Sequence, residues 1–528
     1  MNALTGTGHL VRLVLRRDRV RLPLWVGGLT GLTVVSAAAV QDLYSTPVEI
    51  AAYRATVQDS ASGRLLNGVP YAVDTVAGIT AYEVTSIAGL VVALMVTFTV
   101  VRHTRGEEET GTAELLRSTV TGRHAGTAAA LLVAIGAAFL AGALDAAVLW
   151  AIGLPGAGSL LHGAALAGVG LVFTASAAAA AQLTSSARGA LGVAGAVLAL
   201  LFVVRGVGAV RDDWLVWLSP FGWQDATRPY GDRLWWPLLL VVALTAVVAG
   251  GAAWLTAHRD FGSGLVPPRA GRARATAALG TPVGLAWRVQ RGLFLGWAVG
   301  LTLFAALFGS LGREVVTLIE SNPEMADVMG LSLDDVVRSY FAYVIPFLGV
   351  LASAYAVASA LRLRSEELGG RAEAVLATGT SRLAWALGGV AVTVLGTLAM
   401  VVLMGVALST SHLLLSGEDA LFGRLVGATV QQAAPVLLVA STAFLAHGWF
   451  PHRALLAWAV FAFALLEAYL GELLSMPAWL ADLSPFRHPA GVPVEPFTPW
   501  PLLVIGALAA AAVAVGLAGL RRRDLSSA

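Results

Sequence analysis

The sequence predicts an all-α polytopic membrane protein whose twelve transmembrane helices form two parallel six-helix repeats, as in a fused pseudo-dimer. Of its 528 residues, 57% are hydrophobic and only 12% are charged, and the mean hydropathy is +0.77, a composition that excludes a soluble globular domain. The apolar runs are continuous rather than alternating, so they indicate membrane helices and not the strands of a barrel. Residues 105–123 also recur without a gap at 364–382, with nine identical positions, which indicates a duplication.

Twelve apolar segments are long enough to cross a bilayer, because about 20 helical residues span its core. They are predicted at 22–40, 80–101, 125–152, 158–183, 187–207, 236–257, 293–312, 340–361, 385–412, 420–446, 454–474 and 500–520. We therefore divide the chain into a first repeat, 1–262, a cytoplasmic linker, 263–284, and a second repeat, 285–528. The basic start is followed by no small-residue cleavage site, so the first segment is predicted to be an uncleaved span.

The distribution of arginine predicts the orientation in the membrane. With both termini placed in the cytoplasm, the cytoplasmic segments hold 24 of the 34 Arg residues and the external segments hold eight. Basic residues concentrate on the cytoplasmic side of membrane proteins. We expect a multi-pass protein of a bacterial cell membrane with both termini inside.

The duplication extends beyond the segments 105–123 and 364–382, here named the first and second cassettes. Trp25, Gly28, Leu29 and Thr30 match Trp297, Gly300, Leu301 and Thr302 at an offset of 272. The Leu-Ser-Pro-Phe sequence at 218–221 recurs at 483–486, and the Arg-Asp pair at 259–260 recurs at 523–524. Six spans per half, an even number, predict parallel repeats.

Each cassette is a charged segment after the second span of its half. Its leading carboxylates favour a helix N-terminus, and its apolar positions predict one short amphipathic helix over about 105–123 and about 364–382. The threonines at 119 and 121 predict a break or an N-cap before the third span. A solvated loop that only sets topology is the alternative, but three Glu are kept in both copies. We interpret the cassettes as docking surfaces for a partner.

Several classes of activity are excluded by composition. The chain has no Cys, and all 34 basic residues are Arg. It therefore has no thiolate metal site and no phosphate-binding loop with its essential Lys. No catalytic constellation, metal site or nucleic-acid interface is predicted, and any ATP must be hydrolysed by another subunit.

The two six-span halves, the E-E-x-x-G-x-A-E…T-x-T-x-R cassettes and the missing ATPase motif resemble the permease of a type-2 ATP-binding-cassette (ABC) exporter. More narrowly, the chain resembles the actinobacterial polyketide-antibiotic and multidrug exporter permeases. The resemblance implies that each cassette is a coupling helix seated on one of two copies of a separate nucleotide-binding subunit. That subunit would bind ATP and Mg, and this chain would carry no cofactor.

The resemblance assigns the coupling role to one set of residues in each cassette. The set comprises Glu107, Glu108, Gly111, Glu114, Thr119 and Arg123, with Glu366, Glu367, Gly370, Glu373, Thr378 and Arg382. The second cassette has Leu368 in place of Glu109 and Leu376 in place of Arg117. We therefore expect two unequal seats.

Residues 9–21 place Arg at helical spacing and predict an interfacial amphipathic helix, with 285–294 as its weaker counterpart. The resemblance implies that these helices brace the ATPases, and anchoring to lipid headgroups is the alternative.

Polar residues inside spans are candidates for a substrate pathway. They are Asp145, Arg205, Gln431, Gln432 and Glu467. Glu467 could receive a cationic substrate or pair with an Arg, and interhelical polar pairing is the alternative for all five.

The leading hypothesis is a permease that exports hydrophobic or amphipathic small molecules, drug-like and possibly lipid-like, with ATP hydrolysed by its partner. The alternative is a proton-coupled secondary multidrug transporter, which needs intramembrane carboxylates but no acidic docking cassette.

Overall fold

The computed structural model describes residues 3–58, 60–260, 262–266, 274–320, 333–417, 419–470 and 476–524, and these residues form helices and connecting segments with no β-strand. Part of the predicted linker lies outside the described residues. In chain order the α-helices are α1 (Thr7–Arg17), α2 (Arg21–Leu43), α3 (Pro47–Gln58), α4 (Ala61–Asn67), α5 (Val76–Val101), α6 (Glu107–Glu109), α7 (Thr112–Arg117), α8 (Ala125–Ala151), α9 (Gly156–Leu183), α10 (Ala187–Arg211), α11 (Pro220–Ala226), α12 (Pro237–Ala257), α13 (Pro282–Glu320), α14 (Leu333–Ala360), α15 (Arg362–Leu368), α16 (Arg371–Leu376), α17 (Arg382–Ser416), α18 (Phe422–Gln431), α19 (Ala433–Trp449), α20 (Ala457–Leu470), α21 (Ala478–Ala481) and α22 (Pro499–Arg522).

Twelve helical segments in the described part of the chain are long and apolar enough to cross a membrane, which confirms the predicted all-α polytopic class with twelve spans. They are α2, α5, α8, α9, α10 and α12 in the first half, and α13, α14, α17, the pair α18–α19, α20 and α22 in the second. The second and fourth spans of each half are its most buried. The cassettes follow the second spans, so each cassette leaves the membrane from a central helix of its half.

The chain divides into two compact units, Met1–Gly271 and Arg272–Ala528. The first has a core around Val92, Phe173 and Phe221. The core of the second includes Phe341 and Tyr355. Each unit therefore buries its own apolar residues.

Glycines allow the third and fourth spans of the first half to approach closely. A β-carbon at Gly142 would lie 2.3 Å from the carbonyl oxygen of Gly163, and one at Gly163 would lie 2.1 Å from that of Gly142. Small residues of this kind are the usual means by which membrane helices come together. The contact lies about one turn from the buried Asp145 on α8 and next to the buried His162 on α9.

The two halves begin differently, because the amphipathic helix predicted over 9–21 is interrupted and its counterpart over 285–294 is not. In the first half α1 ends at Arg17 and the first span starts at Arg21, with a buried Asp18 at the break. In the second half residues 285–294 belong to one continuous helix, α13. The residue aligned with Asp18 at the offset of 272 is Gln290, which is also buried and accepts a hydrogen bond from Ser359 at 2.6 Å.

Replacement of Gly142 by Ala should destabilise the first half, because the new methyl group would meet backbone rather than a movable side chain. We expect overpacking to cost about 1–3 kcal/mol and to lower the melting temperature of the purified protein in detergent. Gly136→Ala on the same helix is the control, since nothing lies within 4 Å of that position. Equal melting temperatures for the two variants would contradict the close approach.

Candidate functional site: the two cassettes

Neither cassette is the single amphipathic helix predicted over 105–123 and 364–382. In the first, the second span continues through a π-helical turn to Glu109, and a separate six-residue helix, α7, follows. In the second, α15 ends at Leu368 and the six-residue α16 follows. Gly111 and Gly370 separate the two parts with φ angles of 73° and 68°. This left-handed conformation favours glycine, which explains why both copies keep it.

The prediction that the leading carboxylates begin a helix was wrong. Glu107, Glu108 and Glu109 lie at the end of the helical extension of the second span, and Glu366 and Glu367 lie in the last turn of α15. Negative charge is unfavourable at a helix C-terminus, by about 0.3–1 kcal/mol. Ion pairs with arginines elsewhere in the same half outweigh this cost.

In the first half, the carboxylate of Glu108 joins the second span to the end of the sixth. Arg259, just after α12, donates two hydrogen bonds to it, at 2.9 and 2.8 Å, and Arg105 donates a third at 2.8 Å. The side chains of Arg259 and Glu108 are 6% and 12% exposed. Such bidentate pairing is the strongest hydrogen-bonded ion-pair geometry. We name the Glu108–Arg259 pair the first clamp.

In the second half, Glu367 makes the equivalent connection. Arg523, just after α22, donates to both carboxylate oxygens at 2.6 Å, and Nε2 of His447 lies 3.2 Å from Oε2. The fourth and sixth spans approach closely here, because a β-carbon at Gly448 would lie 2.0 Å from the carbonyl oxygen of Gly516. We name the Glu367–Arg523 pair the second clamp.

The first arginine of each cassette reaches a backbone carbonyl in or near the end of the fourth span of its half, since Ala181 lies in α9 and Pro451 lies just after α19. Arg105 donates to the carbonyl oxygen of Ala181 at 2.9 and 2.5 Å, and Arg364 donates to that of Pro451 at 2.8 Å. Sequence reasoning missed the roles of Arg105, Arg364, Arg259 and Arg523, although all four are identical between the repeats. A match between distant repeats was the available signal, but it does not show which residues meet.

The two cassettes differ where their sequences differ. Glu109 accepts a hydrogen bond at 2.8 Å from the backbone amide of Ala187, the first residue of α10. Leu368, its counterpart, has no polar atom for this contact. The remaining acidic pair also diverges, because Glu107 binds Arg17 at 2.7 Å, whereas Glu366 binds Arg371 at 2.8 Å and thereby raises the pKa of that guanidinium.

The break predicted before the third span is present between α7 and α8, but the predicted N-cap by threonine was wrong. Thr119 and Thr378 each donate a 2.6 Å hydrogen bond backwards, to the carbonyl oxygens of Leu116 and Val375. They therefore end α7 and α16 instead of starting the third spans. Arg123 donates to the neighbouring His124 ring, whereas Arg382 donates to the carbonyl of Arg523 at 2.9 Å.

Glu114 and Glu373 are the exposed acidic positions of the short helices. Each lies in the first turn of its helix, and neither has an ion-pair partner among the described residues. The first cassette also exposes Leu115 and Val120, whose side chains are 72% and 76% accessible. In each cassette, one carboxylate is held in a clamp while the carboxylate of the short helix is exposed to solvent.

Helix α1 supports the first cassette. Its buried Leu10 and Val14 face inwards, and Leu10 packs with Ala125 at the start of α8 and with Leu116. Asp18 lies 2.6 Å from Nε2 of His103, and Nδ1 of the same ring lies 3.1 Å from Glu107. The N-terminal segment is thus joined to the cassette by both apolar and ionic contacts.

Asp145 is fully buried among three spans of the first half. Thr33 of α2 donates a 2.6 Å hydrogen bond to its Oδ1, and Nε2 of His162 on α9 lies 3.1 Å from its Oδ2. Sequence reasoning missed His162, which no pattern connects with Asp145.

Arg205, Gln431 and Glu467 also have side-chain partners within their own half, whereas Oε1 of Gln432 has no hydrogen-bond partner among the described residues. Arg205 is fully buried, donates to Ser86 at 2.6 Å, and lies 3.5 Å from Asp225, whose pKa burial raises to about 6. Gln431 donates to the carbonyl of Ala490 at 2.9 Å, and the tenth span breaks at Gln432.

Glu467 lies near the end of α20, 3.8 Å from Nε of Arg487. The place of these five residues in a substrate pathway stays a prediction.

Replacing Glu367 by Gln should destabilise the second half, because Arg523 would keep its charge without the carboxylate. Breaking a buried ion pair from one side costs about 3–5 kcal/mol, so the melting temperature in detergent should fall clearly. Glu373→Gln, an exposed position six residues away, should change stability by less than about 0.5 kcal/mol. A Glu367→Gln protein as stable as this control would show that the second clamp does not hold the fold.

The sequence matches the family described as "Multidrug efflux system permease Rv1217c, C-terminal domain" over residues 8–255 and 279–521. It is 38% identical over 531 residues to the multidrug efflux system permease protein Rv1217c of Mycobacterium tuberculosis (strain ATCC 25618 / H37Rv), an alignment that covers 99% of this chain and 95% of that protein. The relative is named a permease, in agreement with a membrane protein built from two helical units. The chain therefore belongs to the family of multidrug efflux system permeases.

Proposed function

We propose that the protein is the membrane subunit of an ABC exporter in a bacterial cell membrane. Two copies of a separate nucleotide-binding subunit would supply ATP hydrolysis, with ATP and Mg bound there, and both cassettes and both chain termini would face the cytoplasm. The transported compounds would be hydrophobic or amphipathic small molecules. One observation carries the proposal: each half presents the same exposed acidic helix on a buried clamp.

The clamps suggest how a movement of the partner would reach the membrane. In the first half, Glu108 and Arg105 connect the end of the second span to Arg259 after the sixth span and to Ala181 in the fourth. In the second half, Glu367 contacts Arg523 after the sixth span and His447 in the fourth, and Arg364 binds the carbonyl of Pro451 just after the fourth. A force applied at Glu114 or Glu373 would therefore move three spans together instead of bending a loop. ATP-driven closure of the partners could then shift each half as a body and release the substrate outside.

The two seats should bind with different strength. The first offers Leu115 and Val120 beside Glu114, while the second offers Ala374 and Gly379 at the corresponding positions beside Glu373. Exposed apolar side chains contribute to binding when a partner covers them. We expect the first cassette to be the stronger seat for an identical subunit.

Proton-coupled secondary transport is the second candidate, and the Asp145–His162 pair favours it. A fully buried carboxylate beside an imidazole in the membrane can hold a transferable proton. The same contacts also serve as interhelical polar packing, and a proton-coupled mechanism gives the repeated cassettes no role. We therefore place ATP-driven export first.

Reversal of charge at both exposed carboxylates, Glu114→Arg with Glu373→Arg, should abolish co-purification of the proposed ATPase partner. The single Glu114→Arg change should weaken retention more than Glu373→Arg, because the first seat is the stronger. The measurement is the amount of ATPase retained on the affinity-purified permease. The buried clamps are untouched, so the melting temperature of the permease alone should stay unchanged.

Asp74→Arg is the matched control, because Asp74 is exposed, lies before the second span instead of after it, and has no ion-pair partner among the described residues. It should retain the ATPase fully. Normal drug export by the doubly reversed variant, with no ATPase bound, would favour the proton-coupled alternative.

A further inference from the structure

Four arginines near the start of the chain have no ion-pair partner in the described part of the protein. Arg12, Arg16, Arg19 and Arg21 are all exposed, as is Arg17, but Arg17 binds Glu107. Three of them flank the break between α1 and the first span, and α1 turns its apolar residues inwards against α8. The exposed side of this break is therefore strongly cationic.

An apolar groove of about 360 Å³ begins at Arg21 and continues between the first and second spans. Its walls are Leu24, Trp25, Gly28, Leu32 and Val91. From residue 21 to residue 32 the helix rises roughly 16 Å, about half of the ~30 Å hydrocarbon core. The groove is thus about one leaflet deep, with positive charge at its outer end.

Gly28 keeps this groove open. No heavy atom lies within 4 Å of the position that its β-carbon would take. Packing of the protein therefore does not explain a glycine here, and a side chain at this position would project into the groove.

The second half repeats these features. Arg16, Arg19, Trp25, Gly28 and Leu29 correspond at the offset of 272 to Arg288, Arg291, Trp297, Gly300 and Leu301. Arg288 and Arg291 are exposed, and the space at Gly300 is also open. Exposed positions on a membrane helix are under little constraint from protein packing, so the repeated spacing suggests a shared ligand. Arg21 has no basic counterpart, because Leu293 takes its place.

We propose that the first span carries a site for an anionic phospholipid from the leaflet on the cassette side. The phosphate would lie among Arg16, Arg19 and Arg21, and one acyl chain would occupy the groove over Gly28. A cluster of four or more basic residues at the membrane end of a spanning helix is typical of recognition of anionic lipids. The site is independent of the proposed ATPase partners and of the exported compound.

A lipid at this place would fix the angle between α1 and the first span. Because Arg17 binds Glu107 and α1 packs under Leu116, the lipid would also steady the first cassette. The second site has two of the four arginines and should bind more weakly.

The test is native mass spectrometry of the purified chain titrated with dioleoyl-phosphatidylglycerol or with dioleoyl-phosphatidylcholine, whose acyl chains are the same. We expect the anionic lipid to bind at least tenfold more tightly. Arg19→Gln with Arg21→Gln should remove this preference. Equal binding of the two lipids by the unchanged protein would overturn the proposal.

Gly28→Leu should block binding of phosphatidylglycerol, whereas Gly27→Leu, on the same helix with equally open space but outside the groove, should not. Both variants should keep the melting temperature of the unchanged protein in lipid-free detergent. Glycerol phosphate, which has the phosphate of the lipid headgroup but no acyl chains, should fail to compete with phosphatidylglycerol. Identical lipid binding by the two leucine variants, or full competition by glycerol phosphate, would show that binding depends only on nonspecific charge attraction. Either result would contradict the proposed lipid site.

Discussion

The buried ion pair between the second and sixth spans is the interaction on which the cassette side of each half depends. Glu108 and Glu367 occupy a helix C-terminus, where negative charge is unfavourable, and both are largely removed from water. Such a carboxylate is tolerable only with a partner that neutralises it and satisfies its oxygens. Arg259 and Arg523 do both. In each half, the ends of the second and sixth spans must therefore lie close enough together for this pairing.

The short helices α7 and α16 depend on the ion pairs for their stability. A helix of six residues is not stable alone in water, because nucleation is costly and few hydrogen bonds follow. Helices α7 and α16 exist because each is tied at its glycine end to a clamped span and at its threonine end to the start of the third span. A partner can bind a rigid exposed surface without first ordering it, whereas binding to a flexible loop costs the entropy of that ordering. The exposed Glu114 and Glu373 therefore fit the proposed coupling role better than their buried neighbours Glu108 and Glu367.

Much of the fold was predictable, because spanning helices are determined by length and hydropathy, which are local properties. The position of the cassettes after the second spans was predictable as well, because it depends only on the number of spans that precede each cassette. Their internal structure did not, because the carboxylates pair with arginines about 150 residues away, and no local rule predicts a helix that ends on three glutamates. The partner of Asp145 could not be predicted from local sequence either, because the contact with His162 depends on how α8 crosses α9 at Gly142 and Gly163. The repeated Arg-Asp pair was visible in the sequence, but its meaning required the structure.

The most direct test of the proposed coupling is export of a hydrophobic dye from vesicles that contain the permease and its ATPase, with both clamps broken by Glu108→Gln and Glu367→Gln. A companion protein with Glu367→Arg and Arg523→Glu restores the second pair with reversed charges, and its melting temperature checks that the fold survives. If the clamps hold the cassettes and transmit movement, export by the protein with both clamps broken should fall at least tenfold. The reversed pair, with the first clamp intact, should export far better than the protein with both clamps broken. Export at the unmodified rate from vesicles with both clamps broken would contradict the account.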